Sequence, residues 1–277
     1  MNLKKRTLLC FFSAFAIFGN ACALYYVKIM PKINSVEGRI VLASKPDKKP
    51  AALYLVKDKV LCQIPNTEMS GKIAYPHWSP EGDRIAFYAY NGENEKTQGI
   101  YIIKENGNDL KFIQEGIISS FNFYEGMFIF NRYTGDARIN DYNIMDLLNG
   151  KVRKLSEHEI KSLTNSSYWI DNYSKISPNG KKKLWYKISS EQASPNELYM
   201  TDLGTGEITL IAKGSSQVDI QNAVWSSDSK KIMYLRESIF DNQQIKVYNL
   251  ETRETIVLIK FGSRYIEGFD WWTPSVK

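Results

Sequence analysis

The chain has 277 residues and a formal net charge of +6 at neutral pH, and three of its cations fall at positions 4–6. The +3 that remains after residue 23 is small and evenly spread, with no basic cluster interleaved with aromatic residues, which argues against nucleic acid as a partner. Beyond residue 23 only Cys62 remains, so no internal disulfide can form and the fold must be stabilised by packing.

The N-terminal segment predicts export. Three basic residues at 4–6 precede an apolar stretch at 8–18, and Ala21-Cys22-Ala23 follows. A basic head, an apolar stretch and an A-x-A site are the parts of a secretory signal peptide. We therefore expect residues 1–23 to be a signal peptide and residues 24–36 to be a linker.

Two alternatives for this segment stay open. Thr7 to Val27 carries no charge and is long enough to span a bilayer as an uncleaved membrane anchor to about residue 27. Cys22 could instead carry a lipid, although Gly19-Asn20-Ala21 lacks the aliphatic residue usual before a lipidated cysteine. All three alternatives place the body of the protein outside the cytoplasm, in the periplasm or exported, with or without a tether to the inner membrane.

Residues 37–277 have the composition of an all-β domain. Aromatic residues make up 13% of the chain, and the apolar runs are short and separated by polar turn clusters. Past residue 30 no long segment has a 3.6-residue apolar period, and only residues 157–163 predict one or two helical turns. Strand-like runs occupy residues 84–90, 198–200, 231–235 and 245–248.

A repeat of about 50 residues organises this domain. Its clearest copy starts at Trp78-Ser79-Pro80-Glu81-Gly82 and continues through three strand-like runs. The repeat anchors are Trp78, Asn122, Ile176, Trp225 and Trp272, spaced by 44, 54, 49 and 47 residues. That interval is typical of one four-stranded β-propeller blade.

The turns set the register of the predicted blades. Ser79-Pro80-Glu81-Gly82 and Ser177-Pro178-Asn179-Gly180 have serine first, proline second and glycine fourth, as a type I turn prefers. We expect these turns to join the first and second strands of a blade.

The two ends of the chain predict ring closure. Residues 269–275 look like the opening of a further copy, and residues 37–64 look like the part that follows such an opening. The C-terminal strand should therefore complete the first blade, which removes two exposed sheet edges. The expected fold is a single five-bladed β-propeller over residues 37–277, with the other blades beginning near residues 75, 118, 168 and 220.

These repeats resemble the TolB-like propeller family, also called WD-like. The resemblance is strong at residues 75–114, 173–212 and 221–259 and weak at 118–156. It implies a bacterial exported protein that binds another protein or a small ligand at the mouth of its central channel. TolB has an additional N-terminal α/β domain, for which we expect no room here. Its role in the Tol–Pal envelope system is therefore not carried over.

Signals for catalysis are weak. The chain has two histidines, His77 and His158, and neither belongs to a nucleophile motif or to a metal-binding spacing. Asp171, Asp219 and Asp270 fall near first strands, where five-bladed glycosidases carry paired carboxylates. We therefore expect a protein-binding propeller without enzyme activity, cofactor or metal.

The alternative is a carbohydrate- or small-ligand-binding propeller, including a glycan-active enzyme. Three convergent carboxylates in the channel would favour that alternative. An aromatic or mixed-charge channel mouth would favour a protein partner. The sequence leaves the oligomeric state open.

The binding surface is expected on the face that carries the long loops, because recognition usually resides on loops held by a rigid scaffold. These loops are residues 91–98, 134–140, 189–196 and 238–243. His77 could face the channel or pack beside Trp78. The candidate binding residues near the channel mouth are Tyr75, His77, Arg132, Arg138, Tyr173 and Arg236.

Overall fold

The computed structural model describes residues 37–46, 49–57, 60–90, 98–124, 127–136, 141–163, 174–188, 196–238, 243–262 and 264–274. The predicted signal peptide and linker at 1–36 therefore lie outside the described residues. So do Arg138, Tyr173 and Asp171. Within the described ranges no helix is both long and apolar enough to cross a membrane.

The strands form five four-stranded antiparallel sheets, each of which is one blade. Blade 1 contains β1 (Arg39–Pro46), β2 (Ala52–Lys57), β3 (Val60–Gln63) and β20 (Arg264–Trp272). Blade 2 contains β4 (Lys72–Trp78), β5 (Arg84–Tyr90), β6 (Gly99–Lys104) and β7 (Lys111–Glu115). Blade 3 contains β8 (Ile118–Tyr124), β9 (Met127–Arg132), β10 (Asp141–Asp146) and β11 (Val152–Lys154). Blade 4 contains β12 (Ser174–Ile176), β13 (Lys182–Ile188), β14 (Asn196–Asp202) and β15 (Ile208–Ala212). Blade 5 contains β16 (Val218–Trp225), β17 (Lys231–Ser238), β18 (Gln244–Asn249) and β19 (Thr255–Lys260).

The C-terminal strand closes the ring. β20 pairs antiparallel with β1, with Trp272 opposite Arg39, and it also lies beside β4 and β16, the inner strands of the two neighbouring blades. The prediction of an all-β, five-bladed propeller whose first blade is completed by the C-terminal strand is confirmed. The predicted short helix is also present, as α1 (Glu157–Leu163).

The apolar core lies between neighbouring blades. Successive side chains of a strand point to opposite faces of its sheet, so each central strand contributes to two cores. In β1, Ile40 and Leu42 pack towards blade 5, and Val41 and Ala43 pack towards blade 2. This explains why the central strands are buried almost without interruption.

The predicted turns are confirmed at the first hairpins of blades 2 and 4. The Gly82 N–H donates to the Ser79 carbonyl over 2.9 Å, and the Gly180 N–H donates to the Ser177 carbonyl over 2.8 Å. Strand pairing corrects one anchor: Trp271, which lies opposite Ile40, takes the place that Trp78 and Trp225 take in their blades. The predicted anchor Trp272 lies one residue further along the chain.

The two faces of the propeller differ in the length of their connections. Antiparallel strands alternate in direction, so the links between blades share one face with the links between the second and third strands of each blade. We call this the long-loop face, and its connections of seven residues or more are 64–71, 91–98, 133–140, 155–173 and 189–195. On the opposite, tight-turn face, the connections between described strands have two to six residues.

Candidate functional site

Tyr75 occupies a bulge in β4 at the inner ring of the propeller. The strand register shifts between Ala74 and His77, and Tyr75 has a φ of 52°, which is uncommon for a residue other than glycine. Asn222, with a φ of 51°, occupies the corresponding bulge of β16. Tyr75 is 37% exposed, so the bulge leaves an aromatic side chain accessible at the centre of the ring.

Lys72 and Glu267 form an ion pair beside this tyrosine. Their Nζ and Oε2 atoms are 2.7 Å apart, and the pair links β4 to β20. Tyr88, on β5, is nearby. Its pKa is raised first by burial and then by Tyr75, although the hydrogen bond from Gln98 lowers it. This side of the channel mouth therefore combines the exposed Tyr75 ring with charges of both signs.

His77 lies deeper, next to the tight-turn face. Its ring packs edge-to-face on Phe121 of β8, with 5.2 Å between the ring centroids. Its Nδ1 atom is 3.8 Å from Oδ2 of Asp270 in β20, an ion-pair distance rather than a hydrogen bond. His77 therefore both packs in the inner ring and joins three inner strands, while keeping 21% of its side chain exposed.

Asp270 is held ionised by its surroundings. Its Oδ2 atom accepts a hydrogen bond of 2.8 Å from the Trp78 N–H. Burial alone would raise the pKa of Asp270, but His77, the Trp78 N–H and Lys175 together hold that pKa below its usual value. Among the described contacts that His77 makes with Asp270 and Phe121, there is no hydroxyl or thiol nucleophile.

The two described arginine candidates lie on separate blades. Arg132 ends β9 of blade 3, its guanidinium carbon is 5.9 Å from the Phe130 centroid, and among the described residues its buried Nε has no hydrogen-bond partner. Arg236 lies in β17 of blade 5, opposite Ile220 and Gln244. With Arg138 and Tyr173 outside the described residues, the predicted set remains a prediction.

Two carboxylates, Asp219 and Glu237, are bridged by Gln221 on the long-loop side of blade 5. Gln221 Nε2 donates to Asp219 Oδ2 and, over 3.5 Å, to Glu237 Oε2. The pKa of Glu237 is raised by burial first and then by the negative charges of Asp219 and Glu267, against a hydrogen bond from Gln243. The candidate trio from the sequence is not brought together, because Asp219 and Asp270 lie near opposite ends of their strands.

A cleft of about 430 Å³ opens between blades 4 and 5 on the tight-turn face. We call it the inter-blade cleft. Its apolar lining, which we call the floor, consists of Met200, Tyr248 and Leu250. Its polar lining, which we call the walls, consists of Asn179, Lys182, Asp202, Glu207, Thr209, Asp228, Ser229, Lys230, Glu251 and Arg253.

Two ion pairs organise the walls of the inter-blade cleft. Lys182 Nζ lies 2.8 Å from Asp202 Oδ2, and Lys230 Nζ lies 2.8 Å from Glu251 Oε1. The hydrogen bond from Lys182, followed by those from the Thr205 and Gly204 N–H groups, lowers the pKa of Asp202 to about 2. The walls therefore carry fixed charges of both signs above an apolar floor.

Sequence reasoning did not predict this cleft. Its residues come from four tight turns that are distant in the sequence and from the strands beside them, and each turn by itself looks like an ordinary solvated hairpin. Among the described residues no group of three or more His, Cys, Asp or Glu side chains could hold a metal ion.

The fold and these surfaces define a five-bladed β-propeller with an aromatic, mixed-charge channel mouth on one face and a ligand-sized cleft on the other. No protein-family model matches the chain. No curated protein matches it either.

Solved structures share the architecture. The chain is similar to TolB from Acinetobacter baumannii, with 17% identity over 81% of this chain and a TM-score of 0.46. It spans about half of that protein's length, since 53% of the TolB chain is covered. A protein from Agrobacterium tumefaciens solved under the TolB name is 13% identical over 86% of this chain and 99% of its own, with a TM-score of 0.39.

The chain is also similar, more distantly, to the tricorn protease. It is 14% identical over 79% of this chain and 23% of its own length, with a TM-score of 0.31. At these values each similarity concerns the propeller architecture alone.

Proposed function

We propose that this chain is an exported, non-enzymatic binding propeller that recognises a protein partner through its long-loop face. The observation that carries the proposal is the asymmetry of the two faces. Every connection of seven or more residues between the described strands lies on the long-loop face. A rigid ring that carries its long connections on one side is suited to recognition there.

The chemistry of the channel mouth supports a protein partner. Tyr75 is exposed at the inner ring, and the Lys72–Glu267 ion pair lies beside it. Aromatic and arginine side chains are enriched where protein partners contribute most binding energy. We extend the proposed surface to the predicted Arg132, Arg138, Tyr173 and Arg236.

Export belongs to the same proposal. A signal peptide at 1–23 and a linker at 24–36 would place residues 37–277 in the periplasm as one domain, either free or tethered to the inner membrane. The intact mass of the protein from the envelope fraction distinguishes the alternatives. Cleavage after Ala23 gives a chain that begins at Leu24, an uncleaved anchor retains the whole segment, and a lipid on Cys22 adds the mass of its acyl chains.

Partner capture tests the proposal directly. The full-length protein would be crosslinked in its native envelope, and captured proteins would be identified by mass spectrometry. We expect a stoichiometric partner that is lost when Tyr75, Arg138 and Tyr173 are all replaced by alanine. The matched control replaces three residues on the tight-turn face, Glu81, Lys111 and Lys151, and should retain the partner. Equal capture by both triple variants, with unchanged thermal unfolding, would reject the long-loop face as the binding surface.

One observation favours the second candidate, a carbohydrate- or small-ligand-binding propeller. Asp219, Glu237 and Glu267 approach one another on the long-loop side, and clustered carboxylates serve glycan recognition and hydrolysis. A binding screen with neutral oligosaccharides tests it. Binding that is lost in Glu237→Gln, together with no captured protein partner, would favour this candidate.

A further inference from the structure

We propose that the inter-blade cleft is a binding site for a zwitterionic ligand of dipeptide size. The cleft lies between blades 4 and 5 on the tight-turn face. It is therefore separate from the long-loop face, and the inference stands or falls independently of the proposed protein partner.

The dimensions of the cleft set the size of the ligand. Its volume of about 430 Å³ falls within the range of about 300–1,000 Å³ that ligand pockets occupy. A ligand of dipeptide size, such as alanyl-leucine, is of the size that such a pocket takes.

The floor favours a ligand with an aliphatic side chain. Met200 and Tyr248 each keep 8% of their surface exposed, and both residues line the cleft. Leu250 completes the floor. A methionine thioether adapts its shape to the group that covers it, and covering these three side chains removes apolar area from water.

The walls favour a ligand that carries both charges. Lys182 and Lys230 are already engaged by Asp202 and Glu251. Glu207, after β14 of blade 4, and Arg253, after β18 of blade 5, line the same cleft, and neither side chain is bonded to another described residue. A ligand carboxylate can pair with Arg253, and a ligand ammonium can pair with Glu207. A ligand with only one sign of charge would pair with one of these two residues and be repelled by the other.

The polar frame of the cleft is already ordered across the two blades. The Asn179 N–H, in a turn of blade 4, donates a 3.1 Å hydrogen bond to the Ser229 hydroxyl of blade 5. Within blade 5 the Leu250 N–H donates to the Lys230 carbonyl over 3.0 Å. Because these contacts fix the turns, the backbone of the cleft needs little reordering when a ligand binds.

Titration calorimetry with the full chain tests the site, using alanyl-leucine as the probe and N-acetyl-alanyl-leucine amide as the uncharged comparison. We expect saturable 1:1 binding of alanyl-leucine and at least tenfold weaker binding of the capped compound. Absence of heat for alanyl-leucine up to millimolar concentrations overturns the proposal. Equal affinity for the two compounds overturns the assignment of a zwitterionic ligand.

Two exposed substitutions locate the binding. Arg253→Gln and Glu207→Gln should each weaken alanyl-leucine about fivefold, the effect of removing one exposed ion pair. Lys111→Gln and Glu81→Gln, which are exposed on the same face at blade 2, should leave the affinity unchanged. An affinity that is the same in both cleft variants as in the unaltered chain places the ligand elsewhere and overturns the proposal. Thermal unfolding of each variant confirms that the ring is intact.

Discussion

The guanidinium carbon of Arg39 lies 4.1 Å from the centroid of the Trp272 ring, and the two residues face each other across the β1–β20 pair. The same carbon is 4.9 Å from the Trp78 ring of blade 2, and the guanidinium forms an ion pair with Glu105. Arg39 therefore joins the closing strand to the neighbouring blade. A cation between two aromatic faces that is largely shielded from water is stabilised most strongly.

Replacing Arg39 by alanine should lower the free energy of unfolding by about 2 kcal/mol, because a desolvated cation–π contact contributes about that much. Arg39→Lys should recover part of the loss, since a lysine keeps the charge but not the planar stacking. Arg84→Ala, at the corresponding position of blade 2 and half exposed, is the matched control and should change stability little. Denaturant unfolding checks all three, and equal losses for Arg39→Ala and Arg84→Ala would contradict the role assigned to the tryptophans.

A comparison of two turn glycines distinguishes the cost of backbone strain from the cost of a steric clash. Gly82 and Gly180 have φ values of 71° and 70° and end equivalent turns. A Cβ atom at Gly82 would lie 2.3 Å from Trp272 Cε2, whereas a Cβ at Gly180 meets nothing within 4 Å. The Trp272 ring is held in place by its 3.1 Å hydrogen bond to the Pro80 carbonyl, so it cannot move aside freely.

We expect Gly180→Ala to cost about 1 kcal/mol, the conformational penalty of alanine at a positive φ. Gly82→Ala should cost at least about twice as much, because overpacking adds about 1–3 kcal/mol. Both variants would be compared by denaturant unfolding. If the two losses were the same, the close packing of Trp272 on the Gly82 turn would be wrong.

The blades could be predicted because their signals are local. The Ser-Pro-x-Gly turns at 79–82 and 177–180 fix where a first strand ends and a second begins in blades 2 and 4, and the strand-like runs that follow them recur in the other blades. The predicted anchor Trp272 was one residue too late because this local turn signal is missing there. No such turn follows Trp271 and Trp272, and only pairing with β1 determines which of the two takes the buried position.

The candidate sites were harder to predict because they depend on contacts between blades. The inter-blade cleft places Arg253 and Glu207 about a common floor, although they belong to different repeats. The bulge at Tyr75 also left little trace in the sequence, whereas asparagine at 222 is a residue that favours positive φ. Both the cleft and the bulge depend on how the blades are arranged in the ring, and the sequence of a single repeat does not contain that arrangement.

Removal of the C-terminal strand tests ring closure. A chain that ends at Gly262 would lose β20, and with it Trp271, whose ring is 5% exposed and whose Nε1 donates to the Glu37 carbonyl over 2.9 Å. The β1 edge would then lose its hydrogen-bonded partner, and unpaired edges promote aggregation. We expect the truncated chain to be insoluble or to lack a cooperative transition, as judged by circular dichroism and calorimetry.

A point variant keeps this test interpretable if the truncated chain cannot be purified. Trp271→Phe removes the indole hydrogen bond but keeps an aromatic ring, and it should be less stable than the unaltered chain by about 1–2 kcal/mol. Full stability of this variant and cooperative folding of the truncated chain would together show that β20 is not needed for closure.

Glu237 should make stability depend on pH in a defined direction. Burial, then Asp219 and Glu267, raise its pKa in the folded state above the ordinary value of 4.5. A group with a raised folded-state pKa contributes stability that is fully present below the unfolded-state pKa and is lost as the pH rises through the folded-state pKa. The ionised carboxylate is thus a cost at pH 7, and Glu237→Gln, which cannot ionise, should be free of it.

We therefore expect Glu237→Gln to raise the melting temperature at pH 7, with the gain shrinking towards zero as the pH falls to 4. Melting curves of both proteins at half-unit intervals between pH 4 and pH 8 measure the difference. Glu81→Gln, which replaces an exposed carboxylate, should give a flat difference over the same range. A gain for Glu237→Gln that grows as the pH falls would mean that its carboxylate stabilises the fold, and that the neighbouring charges of Asp219 and Glu267 are compensated by other groups.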